Sequence, residues 1–279
     1  GAEYILKSLE KKEKQIPPKP PFTTSTLQQE ASRRLGFSPS RTMRVAQEMY
    51  EGLELGKKGA VGLITYLRTD STRIANTAQA EALDFIKAEY GDSFAPHTPN
   101  QYKSRKSAQD AHEAIRPSYI DLTPASIKSE LTKDQYNLYR LIWQRTVASQ
   151  MAPAKIKAVT ALISNGDYDF KATGSKILFE GFLKVYETSK EDDDKWLPDL
   201  NKGEELVPVD IRSEQNFTQP PARFTEASLV KDLEEKEIGR PSTYVPIVAT
   251  LMDRSYVKKE KKSLVPTDLG FKVIDFLTE

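Results

Sequence analysis

Tyr66 and Arg68 stand two residues apart in a polar run that follows directly on an apolar stretch, residues 61–64. A phenol beside a guanidinium suits phosphoryl transfer. The fixed cation steadies a phenolate and binds phosphate oxygens through paired donors. At its ordinary pKa of about 10 the phenol is a weak nucleophile, so a neighbouring cation or a metal site must activate it. Taken alone, the spacing is commoner for a core tyrosine next to a solvated arginine.

The elements around this pair have to present it. Residues 61–64 read as a short strand. If the strand continues to Arg68, side chains at i and i+2 share a face, so Tyr66 and Arg68 point the same way. Gly56, Gly59 and Gly62 make the preceding connection a loop. Upstream, Ser25 with Gln28 has capping-box spacing, and Gly36 closes the helix that runs through Leu27, Ala31 and Leu35. Ser38 and Pro39 start a second helix, whose apolar positions Met43, Ala46, Met49, Tyr50 and Leu53 predict one buried face. Arg33, Arg34, Arg41 and Arg44 surround this helix pair, where a nucleic-acid backbone could lie or where a solvated basic face would serve equally well. Downstream, Asn76 with Gln79 caps a helix that Gly91 ends.

The whole string Gly-Leu-Ile-Thr-Tyr-Leu-Arg-Thr-Asp-Ser, residues 62–71, resembles the active-site segment of the type IA DNA topoisomerases, specifically the bacterial topoisomerase I family. Thr-Ser-Thr-Leu-Gln-Gln-Glu-Ala (24–31), Leu-Gly-Phe (35–37) and Ala-His-Glu-Ala-Ile-Arg-Pro-Ser (111–118) are similar to the same family. The resemblance implies that Tyr66 is the nucleophile and that Arg68 stabilises charge on the phosphate. It also implies that His112 helps to hold a phosphate or a proton, and that Arg116 adds positive charge for DNA. Glu113 reads as structural. The wording of the motifs favours topoisomerase I over its decatenating sister III.

The rest of the chain divides into three predicted parts. Residues 6–14 read as a charged helical fragment, and the prolines of residues 17–21 as an extended linker. Residues 122–151 read as two helices, started at Thr123–Pro124 and at Thr132 with Gln135; Tyr136, Tyr139, Trp143 and Val147 form their core stripe. From Pro153 the period changes to two, which predicts antiparallel strands over 155–164, 167–173, 177–187 and 205–212 with a tight turn at Asn165–Gly166. The acidic run 191–194 reads as a solvated loop. The last part, 219–279, has the order helix, turn, helix, hairpin, helix of a winged-helix module. Thr225 caps its first helix, and Arg240, Ser242 and Thr243 lie at the start of its second, where helix N–H groups and hydroxyls suit phosphate. Pro-Pro-Ala-Arg-Phe (220–224) and Ile-Gly-Arg-Pro-Ser-Thr-Tyr (238–244) again look like the family's DNA-gate segment. By that resemblance Arg223, Arg240, Ser242 and Thr243 contact DNA.

The predicted fold class is therefore multidomain α+β. A helical tyrosine domain (23–151) is inserted in a β-rich arch domain (1–22 and 152–218), and a partial winged-helix-like gate domain (219–279) follows. Among 279 residues, 29% are charged and 38% hydrophobic, which fits a globular chain with a broad polar surface. There is no apolar run of membrane-spanning length and no signal-peptide form at the start, so no membrane partner and a cytoplasmic, nucleoid-associated location are expected. Cysteine is absent and histidine occurs twice, which excludes disulfides and thiolate zinc sites. The net charge of +1 argues weakly against a protein that coats DNA, unless its basic groups cluster in one channel. No Gly-x-x-x-x-Gly-Lys loop is present, and transesterification needs no ATP.

The resemblance implies Mg²⁺ bound by an N-terminal TOPRIM domain, whose acidic motif is not found. The expectation is thus a fragment that binds no metal itself. It would act as a monomer on single-stranded or negatively supercoiled DNA, with the TOPRIM domain as its intramolecular partner, and would be inactive without it. The alternative from another class is a non-enzymatic winged-helix DNA-binding regulator, which leaves the strings around Tyr66 and His112 unexplained.

Overall fold

Tyr4–Ile16 form a thirteen-residue strand, β1, where the sequence predicts a helical fragment. Its run of alternating Glu and Lys has no apolar stripe to hold a helix. Pairing along eleven register positions with a later strand decides its conformation instead. The structure, a computed structural model, describes residues 3–103, 112–187 and 196–278, apart from the side chain of Lys57. The expectations for residues 104–106, 109–111 and the acidic run 191–194 lie outside the described residues.

After β1 the chain passes through its prolines into α1 (Thr24–Leu35). The cap is Thr23, whose hydroxyl accepts the Thr26 N–H in a capping box, so Ser25 and Gln28 fall inside the helix and are buried. Gly36 ends α1 in the left-handed region at φ 68°, as its glycine predicts. α2 (Pro39–Glu51) starts on Ser38 and Pro39 as expected. β2 (Leu53–Glu54) and β3 (Ala60–Val61) make a two-residue ladder before the tyrosine segment. α3 (Asn76–Tyr90) has no side-chain cap of its own. The Ala75 N–H donates to the Glu113 carboxylate at 3.0 Å, a partner 38 residues away that replaces the predicted Asn76–Gln79 cap.

Residues 122–132 are turns and one 3₁₀ turn rather than a helix. The Thr123 hydroxyl closes a local turn by accepting the Ser126 N–H. α4 (Lys133–Ser149) opens with the expected Thr132–Gln135 capping box. Tyr139, Trp143 and Val147 are buried along it, and the Tyr139 hydroxyl and Trp143 indole N–H donate to the carbonyls of Leu122 and Ile120. Tyr136 is only partly covered.

β4 (Ala154–Asn165) and β5 (Tyr168–Phe179) form a long hairpin whose turn residues are Gly166 and Asp167. The turn thus lies one residue later than predicted, and β5 runs unbroken through 174–176. It stops at Phe179, before a 3₁₀ turn over Gly181–Lys184. Gly181 is required there, because a Cβ would sit 2.5 Å from the Pro153 carbonyl oxygen. β6 is only Glu205–Leu206, where a strand to residue 212 is predicted. Pro208 has no N–H to extend the ladder. The sheet order is β5-β4-β1-β6, all antiparallel, so one sheet joins chain from before and after the helical region.

The last elements are α5 (Glu226–Glu235), capped by Thr225, then α6 (Tyr244–Asp253), β7 (Val257–Glu260), β8 (Ser263–Pro266) and α7 (Asp268–Thr278). α6 starts at Tyr244, three residues later than the predicted Pro241. Arg240–Thr243 is a separate hydrogen-bonded turn, in which the Thr243 N–H donates to the Arg240 carbonyl and the Arg240 N–H to the Thr243 hydroxyl.

The main core lies in the helical region, where Phe22, Leu27, Met49, Leu63, Leu67, Ile115 and Ile142 are fully or almost fully buried in one cluster. A buried cation ties this core to the chain on both sides of it. The Arg145 guanidinium donates to the Pro20 carbonyl at 2.7 Å and to the Tyr186 hydroxyl at 2.9 Å, and lies 4.5 Å from the Phe22 ring centre. Tyr186 in turn donates to Glu30 at 2.7 Å. Burial pushes Glu30 up. Hydrogen bonds from Arg33, Tyr186 and Arg34 outweigh that effect and bring its carboxyl down to about 2.

Candidate active site

The tyrosine segment is held by backbone pairing on one flank and by α1 on the other. Gly62 lets the chain cross α2 closely, since a Cβ there would meet the Tyr50 carbonyl oxygen at 3.1 Å. The Leu63 N–H then donates to Met49 O at 2.8 Å. Residues 63–65 run antiparallel to residues 116–118, with Thr65 N–H to Arg116 O and Ser118 N–H to Leu63 O, both 2.9 Å, and a bridge between Ile64 and Pro117. The Thr65 hydroxyl also donates to Ala114 O at 2.7 Å. No regular strand extends to Arg68, in contrast to the expectation. The two-residue alternation persists all the same. Leu67, Thr69 and Ser71 are buried, whereas Tyr66, Arg68 and Asp70 face outward together.

Those three residues form one wall of a cleft of about 300 Å³, whose remaining lining is His112, Arg240, Pro241 and Ser242. Tyr66 is 40% exposed and lines the cleft. It is bracketed by Tyr50, edge-on with ring centres 5.6 Å apart, and by the His112 imidazole at 5.3 Å. Arg68 is exposed and makes no ion pair with any described residue. The Arg240 guanidinium donates only to the neighbouring Gly239 carbonyl among the described residues. Two unneutralised guanidinium groups therefore line one concave site, an arrangement that attracts an anion such as a phosphodiester.

The seven residues come from three stretches distant in sequence, and α1 brings them together. It packs against the tyrosine segment, against α2 and α4, and against α5, the helix just before the Arg240 turn. Five of the eight predicted site residues meet in the cleft: Tyr66, Arg68, His112, Arg240 and Ser242. The other three do not line it. Arg116 is half-buried in a bidentate pair with Glu113, its Nε 2.8 Å from the carboxylate, and also donates to Pro117 O. Burial raises Glu113, but bonds from Arg116 and the Ala75 N–H, with the charges of Arg116 and Arg73, hold it below the usual carboxylate range. Arg116 thus braces the segment beside Tyr66. The Thr243 hydroxyl is engaged in the Arg240 turn, which it closes from behind. Arg223 is exposed near Glu260, whose carboxyl it helps to lower after the larger effect of Lys258.

The four arginines of α1 and α2 are all paired, Arg33 and Arg34 with Glu30, Arg41 with Asp134 and Arg44 with Glu48. Tyr50, Asp70, Pro241 and Thr24 belong to the site or its support without having been singled out for it by their sequence. Tyr50 carries an apolar helix spacing and turns out 40% exposed next to Tyr66. Asp70 is the third member of the outward-facing alternation, which the same period-two reading reaches if it is carried two residues further.

Among the described residues no three His, Asp or Glu side chains converge to hold a metal. Asp70 is the one carboxylate among the described residues of the cleft lining, so these residues by themselves do not fit a Mg²⁺ site. No described helix is long and apolar enough to cross a membrane.

Comparison with known proteins places the chain in a family. A family described as DNA topoisomerase matches residues 2–279. The structure of full-length topoisomerase I from Thermotoga maritima, in a monoclinic crystal form, superposes with a TM-score of 0.89 at 40% sequence identity. The match covers 99% of this chain and 45% of that one, so this chain spans less than half the length of its relative. The mixed α/β architecture with its antiparallel sheet is that of a topoisomerase I core, and the chain belongs to the bacterial type IA DNA topoisomerase family.

Proposed function

We propose that this chain carries the nucleophile and part of the single-strand groove of an enzyme that relaxes negatively supercoiled DNA. The Tyr66 hydroxyl oxygen attacks a backbone phosphorus. The new O–P bond leaves a 5′-phosphotyrosine, the P–O3′ bond breaks, the phenolic proton is lost and the departing 3′ oxygen takes up a proton. A second strand passes through the break, and the 3′-hydroxyl then reverses the step. The bond energy is conserved throughout, so ATP is not consumed. Arg68 and Arg240 stabilise the charge that builds on the phosphate, an electrostatic effect worth several kcal/mol in comparable sites. His112, beside the Tyr66 ring, holds a phosphate oxygen or a proton.

In this reading the helical part, 23–151, is inserted in a β-rich arch made of 1–22 and 152–218. The module 219–279 closes on the tyrosine from the other side. The pairing of β1 with β4 and the packing of α1 on α5 support that division. Mg²⁺ and its carboxylates belong to a TOPRIM domain supplied from outside the residues described, and the chain alone is inactive. The observation that carries the reading is the meeting of Tyr66, Arg68 and His112 with Arg240 and Ser242 in one cleft. A purely DNA-binding winged-helix regulator would have no use for that meeting.

The test is a covalent adduct. Labelled single-stranded DNA is incubated with the chain and Mg²⁺, with and without a separately supplied TOPRIM domain, and resolved on a denaturing gel. An adduct that requires the added domain and vanishes in Tyr66→Phe is expected. Efficient plasmid relaxation by this chain alone, or an adduct that survives Tyr66→Phe, would overturn the reading.

A further inference from the structure

Arg68 has no ion pair among the described residues to set its direction, so the backbone on either side of it must do so. That backbone is clamped from 43 to 45 residues away by the first residue of α1. The fully buried Thr24 hydroxyl donates to Leu67 O at 2.7 Å, lies 3.1 Å from Thr69 O, and accepts the Thr69 N–H at 2.9 Å. The Thr24 N–H adds a fourth contact, to Thr69 O at 2.9 Å. One residue thus fixes the peptide groups immediately before and after Arg68 and leaves the guanidinium facing the cleft.

The same helix packs on α5, directly ahead of the turn that presents Arg240. α1 therefore sets Arg68 relative to Arg240. We propose that Thr24 is the positioning residue for Arg68: its hydroxyl holds the backbone on both sides of Arg68 so that the side chain leaves the chain towards the cleft, where it meets a phosphate of bound DNA, without touching DNA itself. This rests on the reading of the cleft as a phosphodiester site. Backbone already fixed in its binding conformation loses less conformational freedom when its side chain meets a ligand, so removing the clamp weakens binding through Arg68.

Fluorescence anisotropy of a labelled oligothymidylate at low salt tests this on the chain itself, in the parent, Thr24→Val, Thr24→Ser, Arg68→Ala and the Thr24→Val/Arg68→Ala double variant. Arg68→Ala is expected to weaken binding about tenfold, the scale of one charge-assisted hydrogen bond. Thr24→Val should weaken it about fivefold and Thr24→Ser by less than about twofold, with the double variant no worse than Arg68→Ala alone. If Thr24→Val lowers the melting temperature into the assay range, the titrations are run at a lower temperature at which it is folded, and Thr24→Ala, read under the same condition, supplies a second hydroxyl-free variant. Multiplying effects in the double variant, or parental affinity in both hydroxyl-free variants, overturns the positioning role while leaving the cleft reading intact. Parental affinity in Arg68→Ala, or no binding by the parent at any salt concentration, removes the phosphate site on which the role depends.

Discussion

Two sets of arginines in this chain are built in opposite ways. Around Tyr186, Arg145 is buried with that ring and the Pro20 carbonyl, while Arg33 and Arg34 share Glu30. On the cleft side, Arg68 and Arg240 reach solvent with no carboxylate partner among the described residues. A buried guanidinium must be satisfied within the fold or it destabilises it. One left unpaired at a concave surface keeps its charge for an incoming anion. Basic residues near an active site therefore fall into separate classes, and partner geometry separates them better than proximity does. Arg116, one residue before the Pro117 bridge to the tyrosine segment, is a brace by this criterion.

The sharpest way to break the comparison is to swap the consequences. Arg145→Met should cost about 3 kcal/mol of stability, because it strands the Pro20 carbonyl in the interior and removes the donor to the Tyr186 hydroxyl, which keeps only its bond to Glu30. Thermal or urea unfolding reads this directly. Single-strand affinity of the folded fraction should stay at the parental value. Weakened DNA binding at unchanged stability would place Arg145 in the wrong class.

Next in size is an acid-limb effect from Glu30. Its carboxyl lies at about 2 in the folded chain, below its ordinary 4.5, so the unfolded state takes up a proton first. The stabilisation is fully present above about pH 4.5 and is lost as pH falls towards 2, on the order of 2–3 kcal/mol in all. Relative to the parent, Glu30→Gln should be less stable at pH 6, and the gap should close as the pH is lowered through that window. A gap independent of pH would mean that the paired charge is not what holds the Arg145–Tyr186–Glu30 network together.

On the cleft side, Arg240→Ala should leave the melting temperature unchanged and weaken single-strand binding about tenfold. If about four phosphates are neutralised by the parent, log K falls against log salt with a slope of roughly −3, and removing Arg240 should reduce that slope by about 0.7. A flat parental slope would remove the electrostatic basis of the cleft.

How far these classes can be read in the sequence depends on the range of the interactions behind them. Tyr66 and Arg68 are legible because alternation is local and survives even where no ladder forms. The Thr132–Gln135 box, Gly36 and the Ser38–Pro39 start are legible for the same reason. β1 is not, because a run of Glu and Lys with one fully buried residue, Leu6, takes its conformation from β4, about 150 residues away. Nor is the fate of each arginine legible, since the carboxylate that decides it comes from another part of the fold for Arg41. Tyr50 carries a core spacing and ends at the site, because α2 runs out where the tyrosine segment crosses it. The clamp at Thr24 carries no signal at all, being a tertiary bond across 43 residues.

The smallest expected effect sharpens the comparison most cheaply. Arg44 resembles Arg68 in its exposure, with a side chain 63% accessible, but it is paired with Glu48 one helical turn away at 2.9 Å. A surface pair of this kind contributes about 0.3–0.5 kcal/mol, so Arg44→Ala should change stability by no more than that. Its charge is already compensated along the helix, so single-strand affinity and the salt slope should match the parent within error. Should Arg44→Ala weaken binding as much as Arg68→Ala, the pairing criterion would fail. The basic face of α1 and α2 would then count as part of the DNA path, with its salt bridges exchanged for phosphate contacts on binding.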